Sequence, residues 1–336
     1  MKEIYDILRE FRKHRGEKFA LATLVHAEGS SYRRPGARML ICEDGRTIGS
    51  LSGGCLEQEV ALRAREVLQH GKPAMMTFDT RRRFGCAGKI DIFIERASEK
   101  FLVDLAARLE ARRNCRIVTI FEGAELGSRV LPSSVGDDAV VPREADSFPY
   151  RNGALVQEIF PPIRLLIFGE GPDSAPLRNF GETLGWRVIL ATSASELAAP
   201  SAAPTAAATA IRDSRIAADE LIEPFDEWTA AVVKSHNYGR DFAALEKLLP
   251  LNLRYVGLVG PRKRRDQLLN DLLDLGVTIN AGFFSPAGLD IGAESPEEIA
   301  LAIISEIQRV FAGGSGESLR EKKVSIHRTK EAVQLF

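Results

Sequence analysis

Residues 161–192 read PPIRLLIFGEGPDSAPLRNFGETLGWRVILAT, and this stretch determines the architecture of the second half of the chain. It contains an apolar strand at 163–168, a glycine-rich turn at 169–171, a helix at about 173–184 and a strand at 187–192. A strand, a glycine turn, a helix and a second strand in this order open a doubly wound sheet. The proline pair at the start predicts a domain boundary.

The segments that follow continue the same pattern. We predict strands at 229–233 and 254–259, each trailed by a helical pattern, and a final helix at 296–311. Ser295 as the N-cap, Pro296 in the first turn and Glu298 three residues after Ser295 form the sequence signature of a capping box. We therefore predict a Rossmann-like domain at 163–312, followed by a peripheral tail at 313–336.

The first half mixes helices and strands, which favours an α+β domain at 1–122. Ile4, Ile7, Leu8 and Phe11 recur at helical spacing and predict an N-terminal amphipathic helix. Strands are predicted at 19–25, 39–42, 47–51, 74–79, 89–95 and 116–121, and helices at 56–69 and 98–113. Residues 123–162 read as an irregular connecting segment with short strands. The whole chain is thus predicted to be an α/β protein of two domains.

Composition narrows the class of protein. The 336 residues are 45% hydrophobic and 27% charged, with a formal net charge of −1. This composition is typical of a globular protein, and so small a net charge gives no general attraction for nucleic acid or anionic membrane. We find no apolar run of membrane-spanning length and no signal-peptide pattern at the N-terminus. We therefore expect a cytoplasmic protein without nucleic-acid or membrane partners.

The four cysteines occur in two kinds of context. Cys42 and Cys115 lie in apolar strand-like runs and are expected to fill the core. Cys55 and Cys86 lie among glycines, where a side chain has little core to fill. Because no CxxC pair occurs, a structural zinc site has weak support.

The loop Ser52-Gly53-Gly54-Cys55 is the first candidate site, with Glu57 directly after it. The glycines let the backbone approach a ligand, and the loop runs into a helix N-terminus, whose free N–H groups favour an anion. Glu57 suits the helix dipole and is also a candidate general base. The alternative is a tight strand-to-helix turn with a buried cysteine, and the residues alone favour the two interpretations equally.

Two further loops carry similar chemistry. Gly85-Cys86-Ala87-Gly88 repeats the combination of cysteine and glycine immediately before a predicted strand. The loop at 29–38 offers Ser30, Arg34 and Arg38, hydroxyl and guanidinium groups that suit a phosphate or a carboxylate. The alternative for both is a solvated surface loop.

The second domain offers a weaker nucleotide signal. Gly169 and Gly171 match the start of the dinucleotide fingerprint, but its third glycine is replaced by Ser174. The end of the next strand reads Ala191-Thr192-Ser193, without the acid that usually accepts the ribose hydroxyls. NAD(P) binding is therefore disfavoured.

Polar residues follow the later strands of this domain. His236 comes just after the strand at 229–233, and Gly260 and Arg262 open the helix after the strand at 254–259. The carboxyl ends of parallel strands line the ligand crevice of such sheets, so these residues are candidate ligand contacts. A capping or turn role is the alternative.

Five motifs in order resemble the XdhC/CoxI family, the accessory proteins of molybdenum hydroxylases such as xanthine dehydrogenase. They are EGSSYRRPGARML at 28–40, GSLSGGCLE at 49–57, FGCAGKIDIFIE at 84–95, YVGLVGPRKRR at 255–265 and SPAGLDIGAESPEEIALAIISEI at 285–307. The resemblance implies a family-type N-terminal domain followed by a Rossmann-like domain.

The resemblance also implies a function. Proteins of this family are expected to bind the molybdenum cofactor, to assist its sulfuration and to deliver it to an apo-hydroxylase, with a sulfur donor as a second partner and a homodimer as the assembly. Cys55 and Cys86 then become candidate contacts to molybdenum or sulfur. The chain departs from the family at Ala87 and Pro172, where the family has glycine and histidine. A cofactor-binding maturation chaperone is favoured over a turnover enzyme, with an NAD(P)-dependent oxidoreductase and a cofactor-free docking scaffold as the alternatives.

Overall fold

The computed structural model describes residues 2–29, 31–79, 88–131, 150–151, 153–191 and 225–321. The chain divides between Pro161 and Pro162 into two compact units, each built around its own sheets. The mixed α/β fold class with a C-terminal Rossmann-like sheet is confirmed.

The first unit contains a five-stranded antiparallel sheet with helix α2 against one face. Its strands are β1 (Phe19–Gly29), β2 (Arg38–Cys42), β3 (Thr47–Gly49), β4 (Ala74–Asp79) and β5 (Gly88–Arg96), in the order β3-β2-β1-β5-β4. Helix α1 (Lys2–Lys13) precedes the sheet, and α2 (Glu57–His70) connects β3 to β4.

Alternation along the strands explains where α2 packs. Ala20, Ala22 and Leu24 point to one face of β1, and they pack with the helix residues Val60 and Ala64. Strand residues two apart share a face and helix residues four apart share a side, so both patterns bury one apolar surface. The other face of β1 turns Phe19 and Leu21 toward α1.

A second, four-stranded antiparallel sheet completes this unit. It consists of β6 (Cys115–Ile120), β7 (Gly127–Val130), β8 (Tyr150–Arg151) and β9 (Ala154–Ile159), in the order β7-β6-β9-β8, and helix α3 (Glu99–Glu110) precedes it. Three of these strands lie within residues 123–162. That segment therefore belongs to the sheet structure of the first unit and does more than connect two domains.

The second unit is a parallel sheet with helices between its strands. The strands are β10 (Arg164–Phe168), β11 (Arg187–Ala191), β12 (Thr229–Val233), β13 (Tyr255–Leu258) and β14 (Phe283–Phe284), in the order β11-β10-β12-β13-β14. The helices are α4 (Ser174–Thr183), α5 (Tyr238–Leu248), α6 (Arg262–Asp274) and α7 (Pro296–Ala312). The strand–turn–helix–strand unit predicted at 163–192 is confirmed, as is the capping box of Ser295 and Glu298.

Two cysteine predictions are also confirmed, because Cys42 and Cys115 are both buried. Burial raises the pKa of Cys42 to about 11, so this thiol stays protonated at neutral pH. In the part of the chain that the structure describes, no helix is both long enough and apolar enough to cross a membrane.

Arg38 is placed differently from the sequence expectation. We expected its guanidinium to contact an anionic ligand, but the residue is only 1% exposed. Its Nη1 donates to the Gly36 carbonyl at 3.1 Å and to Gln157 on β9, and its Nη2 donates to the Thr119 hydroxyl on β6 at 3.4 Å. Arg38 thus links the two sheets of the first unit and does not reach a ligand.

The linkage continues through buried side chains. The Thr119 and Ser128 hydroxyls lie 2.8 Å apart, and Ser128 donates to Glu95 from its hydroxyl at 2.6 Å and its amide at 2.8 Å. Burial lowers the pKa of Arg38 to about 10, with Glu95 acting in the opposite direction, so the guanidinium stays charged at neutral pH. A buried charge of this kind is tolerated only because its partners are in place.

We predict that Arg38→Met lowers the free energy of unfolding by about 3 kcal/mol, because the buried Glu95 then loses its nearby cation and the half-buried Gln157 loses its hydrogen-bond partner. Urea unfolding followed by circular dichroism measures the change. Arg46→Met is the matched control, since Arg46 is half exposed and pairs with the exposed Asp44. A midpoint for Arg38→Met equal to that of Arg46→Met would contradict the linking role.

Candidate functional site

Three connections leave the same end of the five-stranded sheet. Gly29 pairs with Gly88 and Asp79 pairs with Lys89. At the other side of β1, Gly49 pairs with Met39. Because neighbouring strands are antiparallel, the connections 30–37, 50–56 and 80–87 all start or end at this one edge. The topology therefore places the strand ends that flank the three motif loops at one end of the sheet.

Part of this edge lies outside the described residues. Ser30, Gly85 and Cys86, which the sequence analysis assigned to the site, fall on undescribed positions. Gly88 is described and begins β5 as a buried residue.

The loop at 50–56 is organised around the carboxylate of Glu57. Oε1 accepts hydrogen bonds from the Ser50 hydroxyl at 2.8 Å and from the amides of Leu51 and Ser52 at 3.1 and 2.9 Å. Oε2 accepts from the Ser52 hydroxyl at 2.8 Å and from the amides of Gly54 and Leu56 at 2.9 and 3.0 Å. Four amides and two hydroxyls thus converge on one side chain.

This arrangement changes the sequence interpretation of the loop. We expected the loop and the helix N-terminus to hold an external anion, but four amides of the loop before α2, at Leu51, Ser52, Gly54 and Leu56, contact Glu57 instead. Partial burial works against the charged form, yet the hydrogen bonds from Ser52 and Ser50 lower the pKa of Glu57 to about 2. A carboxylate with so low a pKa is a poor general base, so Glu57 is a residue that positions the loop.

The folded loop presents the Cys55 side chain to solvent. Leu56 is buried and anchors the loop to the core under α2, while Gly53, Gly54 and Cys55 are exposed. Gly53 and Gly54 have φ angles of +84° and +118°, which favour glycine. The sequence alternative of a buried cysteine in a tight turn is therefore wrong for Cys55, although the turn itself is tight.

Tyr32 brings the neighbouring loop into contact with this one. A Cβ atom built on Gly53 would lie 3.0 Å from Cε1 of Tyr32, so the ring lies against the glycine backbone. The ring is 72% exposed. This exposed aromatic ring against the backbone of the cysteine loop is a feature that the sequence analysis missed, because the contact partner of a glycine is not encoded in its own motif.

The arginines of the 29–38 loop have separate roles. Arg38 is buried, as described above, and Arg33 pairs with Glu3 of α1. Arg34 is exposed.

A second polar group missed by the sequence analysis lies on the opposite face of the sheet from α2. His26 Nδ1 lies 3.0 Å from Asp91 Oδ2, and the Thr77 hydroxyl donates to Asp91 Oδ1 at 2.6 Å. The register of β1 against β5 shifts between Leu24 and His26, which is a bulge that places His26 opposite Asp91. The three residues come from three strands, so no local motif could have indicated them.

The candidate residues of the second unit meet at the carboxyl ends of β10 and β12. Gly169 follows β10, and a Cβ atom there would lie 2.8 Å from the Lys234 carbonyl carbon. The close approach of these two backbone segments therefore requires glycine. His236 has a φ of +57° and its Nε2 lies 3.1 Å from Asp173 Oδ2. Gly171 is exposed in the same turn.

Gly260 and Arg262 lie at the next strand end, after β13. Gly260 has a φ of +151°, and Arg262 is the exposed first residue of α6. Arg264 of α6 pairs with the fully buried Asp241 of α5. Asp241 in turn accepts from the Ser235 amide at 3.0 Å.

A metal site has no support within the described ranges. Leaving aside the gaps at 80–87, 132–149 and 192–224, no three His, Cys, Asp or Glu side chains are grouped to hold an ion. Cys86 lies in one of those gaps.

We predict that Glu57→Gln destabilises the first unit at neutral pH, because an amide nitrogen would replace one acceptor oxygen. The pKa of Glu57 is lowered from 4.5 to about 2 by folding, so its stabilisation is complete above pH 4.5 and is lost as pH falls toward 2. The difference in thermal unfolding midpoint between wild type and Glu57→Gln should therefore shrink between about pH 7 and about pH 3.

Glu66→Gln is the control, since Glu66 lies on the exposed side of the same helix and pairs with Arg63. A midpoint difference for Glu57→Gln that stays constant over this pH range would show that the charged carboxylate does not stabilise the loop.

Comparison with known proteins agrees with this architecture. Residues 13–79 match the XdhC and CoxI family, and residues 165–307 match the XdhC Rossmann domain. A solved structure from Bacillus halodurans, described as a xanthine dehydrogenase, superposes with a TM-score of 0.70 over 95% of this chain and 98% of its own. Its identity to this chain is 24%, so it supports the fold alone.

Two relatives are similar along most of their length. The chain is 32% identical to a Bacillus subtilis protein whose name makes it a probable subunit of xanthine dehydrogenase, over 87% of this chain and 92% of the relative. It is 25% identical to the molybdenum cofactor insertion chaperone PaoD of Escherichia coli, over 88% of this chain and 84% of the relative. With both domain matches in the order of the sequence motifs, these similarities show that the chain belongs to the XdhC and CoxI family.

Proposed function

We propose that this chain is an accessory protein of a xanthine dehydrogenase-like molybdenum hydroxylase, which holds the molybdenum cofactor and inserts it into the apo-enzyme. The names of its relatives support an accessory or cofactor-insertion role. The observation that carries the proposal is the exposed thiol of Cys55, held on a loop that Glu57 fixes at the edge where three family motifs converge.

The chemistry of the cargo suits this loop. A pterin dithiolene presents a soft metal centre, and soft thiolate ligands suit such centres. Among the described cysteines, Cys55 is the one whose thiol is exposed to solvent. We propose Cys86 of the third motif as the second contact. Assistance with sulfuration, through a sulfur donor as partner, is part of the same proposal.

The remaining contacts are proposed for side chains of the first motif. Four of the loop amides contact Glu57, so we propose that side chains bind the phosphate of the cofactor. We assign this role to Arg34, which is exposed, and to Ser30, both from the first motif. The exposed Gly53 and Gly54 then let the backbone lie close to the cargo.

The proposed role is that of a carrier and not of a turnover enzyme. Glu57, the candidate general base, has a pKa of about 2, which suits a structural acceptor better than proton transfer at neutral pH. We further propose a cytoplasmic homodimer, as the family resemblance implies.

We predict that Cys55→Ser abolishes most cofactor retention while leaving the protein folded, because a serine hydroxyl is a hard and weak ligand for a soft metal. The chain would be expressed with and without the molybdenum cofactor pathway, and bound molybdenum and pterin measured per mole of protein. Cys42→Ala is the matched control. It removes a buried thiol and should retain the cargo at the wild-type level.

Cys86→Ser tests the second contact in the same assay. Wild-type levels of pterin and molybdenum in both Cys55→Ser and Cys86→Ser would exclude a ligand role for the cysteines. Copurification with a hydroxylase in the absence of any pterin would instead support the docking scaffold and overturn the carrier proposal.

A further inference from the structure

The second unit has the crevice that doubly wound sheets use for ligands. Its strand order, β11-β10-β12-β13-β14, reverses direction between β10 and β12. In such sheets ligands bind outside the carboxyl ends of the strands at this reversal point. The segments that line it here are 169–173, after β10, and 234–237, after β12.

The first turn of α4 does not offer the amides that hold a phosphate in this position. The Ser174 amide donates to the Gly171 carbonyl at 3.0 Å, and the Ala175 amide donates to the Pro172 carbonyl at 3.3 Å. The third residue of the helix is Pro176, which has no N–H. Anion binding at a helix N-terminus depends on these free N–H groups.

The two basic side chains of the crevice, Lys234 and His236, both pair with the carboxylate of Asp173. Lys234 is 3% exposed, and its Nζ lies 2.7 Å from Asp173 Oδ1 and donates to the Ser174 hydroxyl at 2.9 Å. His236 contacts the other oxygen of Asp173.

The position of this carboxylate is over the glycine turn itself. A Cβ atom built on Gly171 would lie 2.6 Å from Asp173 Oδ1. Desolvation opposes the charge, yet hydrogen bonds from Lys234 and His236 lower the pKa of Asp173, so the group is an anion at neutral pH.

We propose that Asp173 is the internal anion of this crevice, occupying the place where Lys234 and His236 would otherwise hold the phosphate of a nucleotide. The Rossmann-like unit of this chain therefore does not bind NAD(P), and phosphate compounds bind there only when the Asp173 carboxylate is removed. The missing acid at Ala191-Thr192-Ser193 is consistent with the loss of the adenosine ribose contact. This inference is independent of the proposed carrier function.

The test is calorimetric titration of the full-length chain with NAD⁺, ADP and inorganic pyrophosphate. Wild type should show no saturable binding up to about 1 mM. Asp173→Asn keeps the shape of the side chain but removes its charge, and should bind pyrophosphate and ADP at least about tenfold more tightly than wild type. The double variant Asp173→Asn with Lys234→Met should lose this gain.

Thermal unfolding keeps the result interpretable if the variant is less stable. Asp173→Asn leaves Lys234 buried without its carboxylate, so its unfolding midpoint should fall, and pyrophosphate should raise the midpoint of this variant but not that of wild type. Asp266→Asn is the control, since Asp266 pairs with Arg265 at an exposed position and should leave both readouts at wild-type values.

Saturable binding of NAD⁺ or ADP by wild type would overturn the proposal. The proposal would also be overturned if the Asp173→Asn variant folds, as shown by a single thermal transition, but gains no affinity for pyrophosphate. A gain that survives Lys234→Met would also overturn it, because Lys234 would then not be the group that Asp173 occupies.

Discussion

The hydrogen bonds to the Glu57 carboxylate are the interaction on which the first unit's site depends. They fix a loop that has two glycines at positive φ and would otherwise have many accessible conformations. They lie in the loop directly before α2, whose N-cap residue Leu56 makes no side-chain cap hydrogen bond but donates its own amide to Glu57. The same contacts leave Cys55 as the group that the loop offers to solvent.

The two units use a carboxylate in a related way. Each has a glycine-rich turn between a strand and a helix, a place where proteins commonly bind an external anion. In the first unit the amides of this turn contact Glu57, and in the second the cations beside the turn contact Asp173. Glycine turns of this kind therefore do not by themselves indicate an anion site, because a nearby acid in the chain can fill it.

Most of the secondary structure was predictable from the sequence because it depends on local patterns. Helical spacing predicted α1, apolar runs predicted β10 and β12, and the Ser295–Glu298 signature predicted the start of α7. The strand predicted at 47–51 ends instead at Gly49, since the Leu51 amide donates to Glu57 and not to a neighbouring strand.

The features that the sequence did not predict depend on residues far apart in the chain. From the sequence, Arg38 is expected to be a surface arginine. Its partner Gln157 lies on β9, 119 residues later in the chain. The pairing of His26 with Asp91 requires both the strand register and a bulge. Likewise, Asp173 and Lys234 are 61 positions apart, so a motif scan finds the glycine turn but not the ion pair that fills it.

Site-resolved amide hydrogen exchange of the 50–57 loop, in wild type and in Glu57→Gln, tests the central claim most directly. The amides of Leu51, Ser52, Gly54 and Leu56 should exchange slowly in wild type, because each donates to Glu57, and rapidly in Glu57→Gln, while those of α2 from Val60 onward stay protected in both. Fast exchange of the four loop amides already in wild type would contradict the account, since the loop would then be free to bind an external anion.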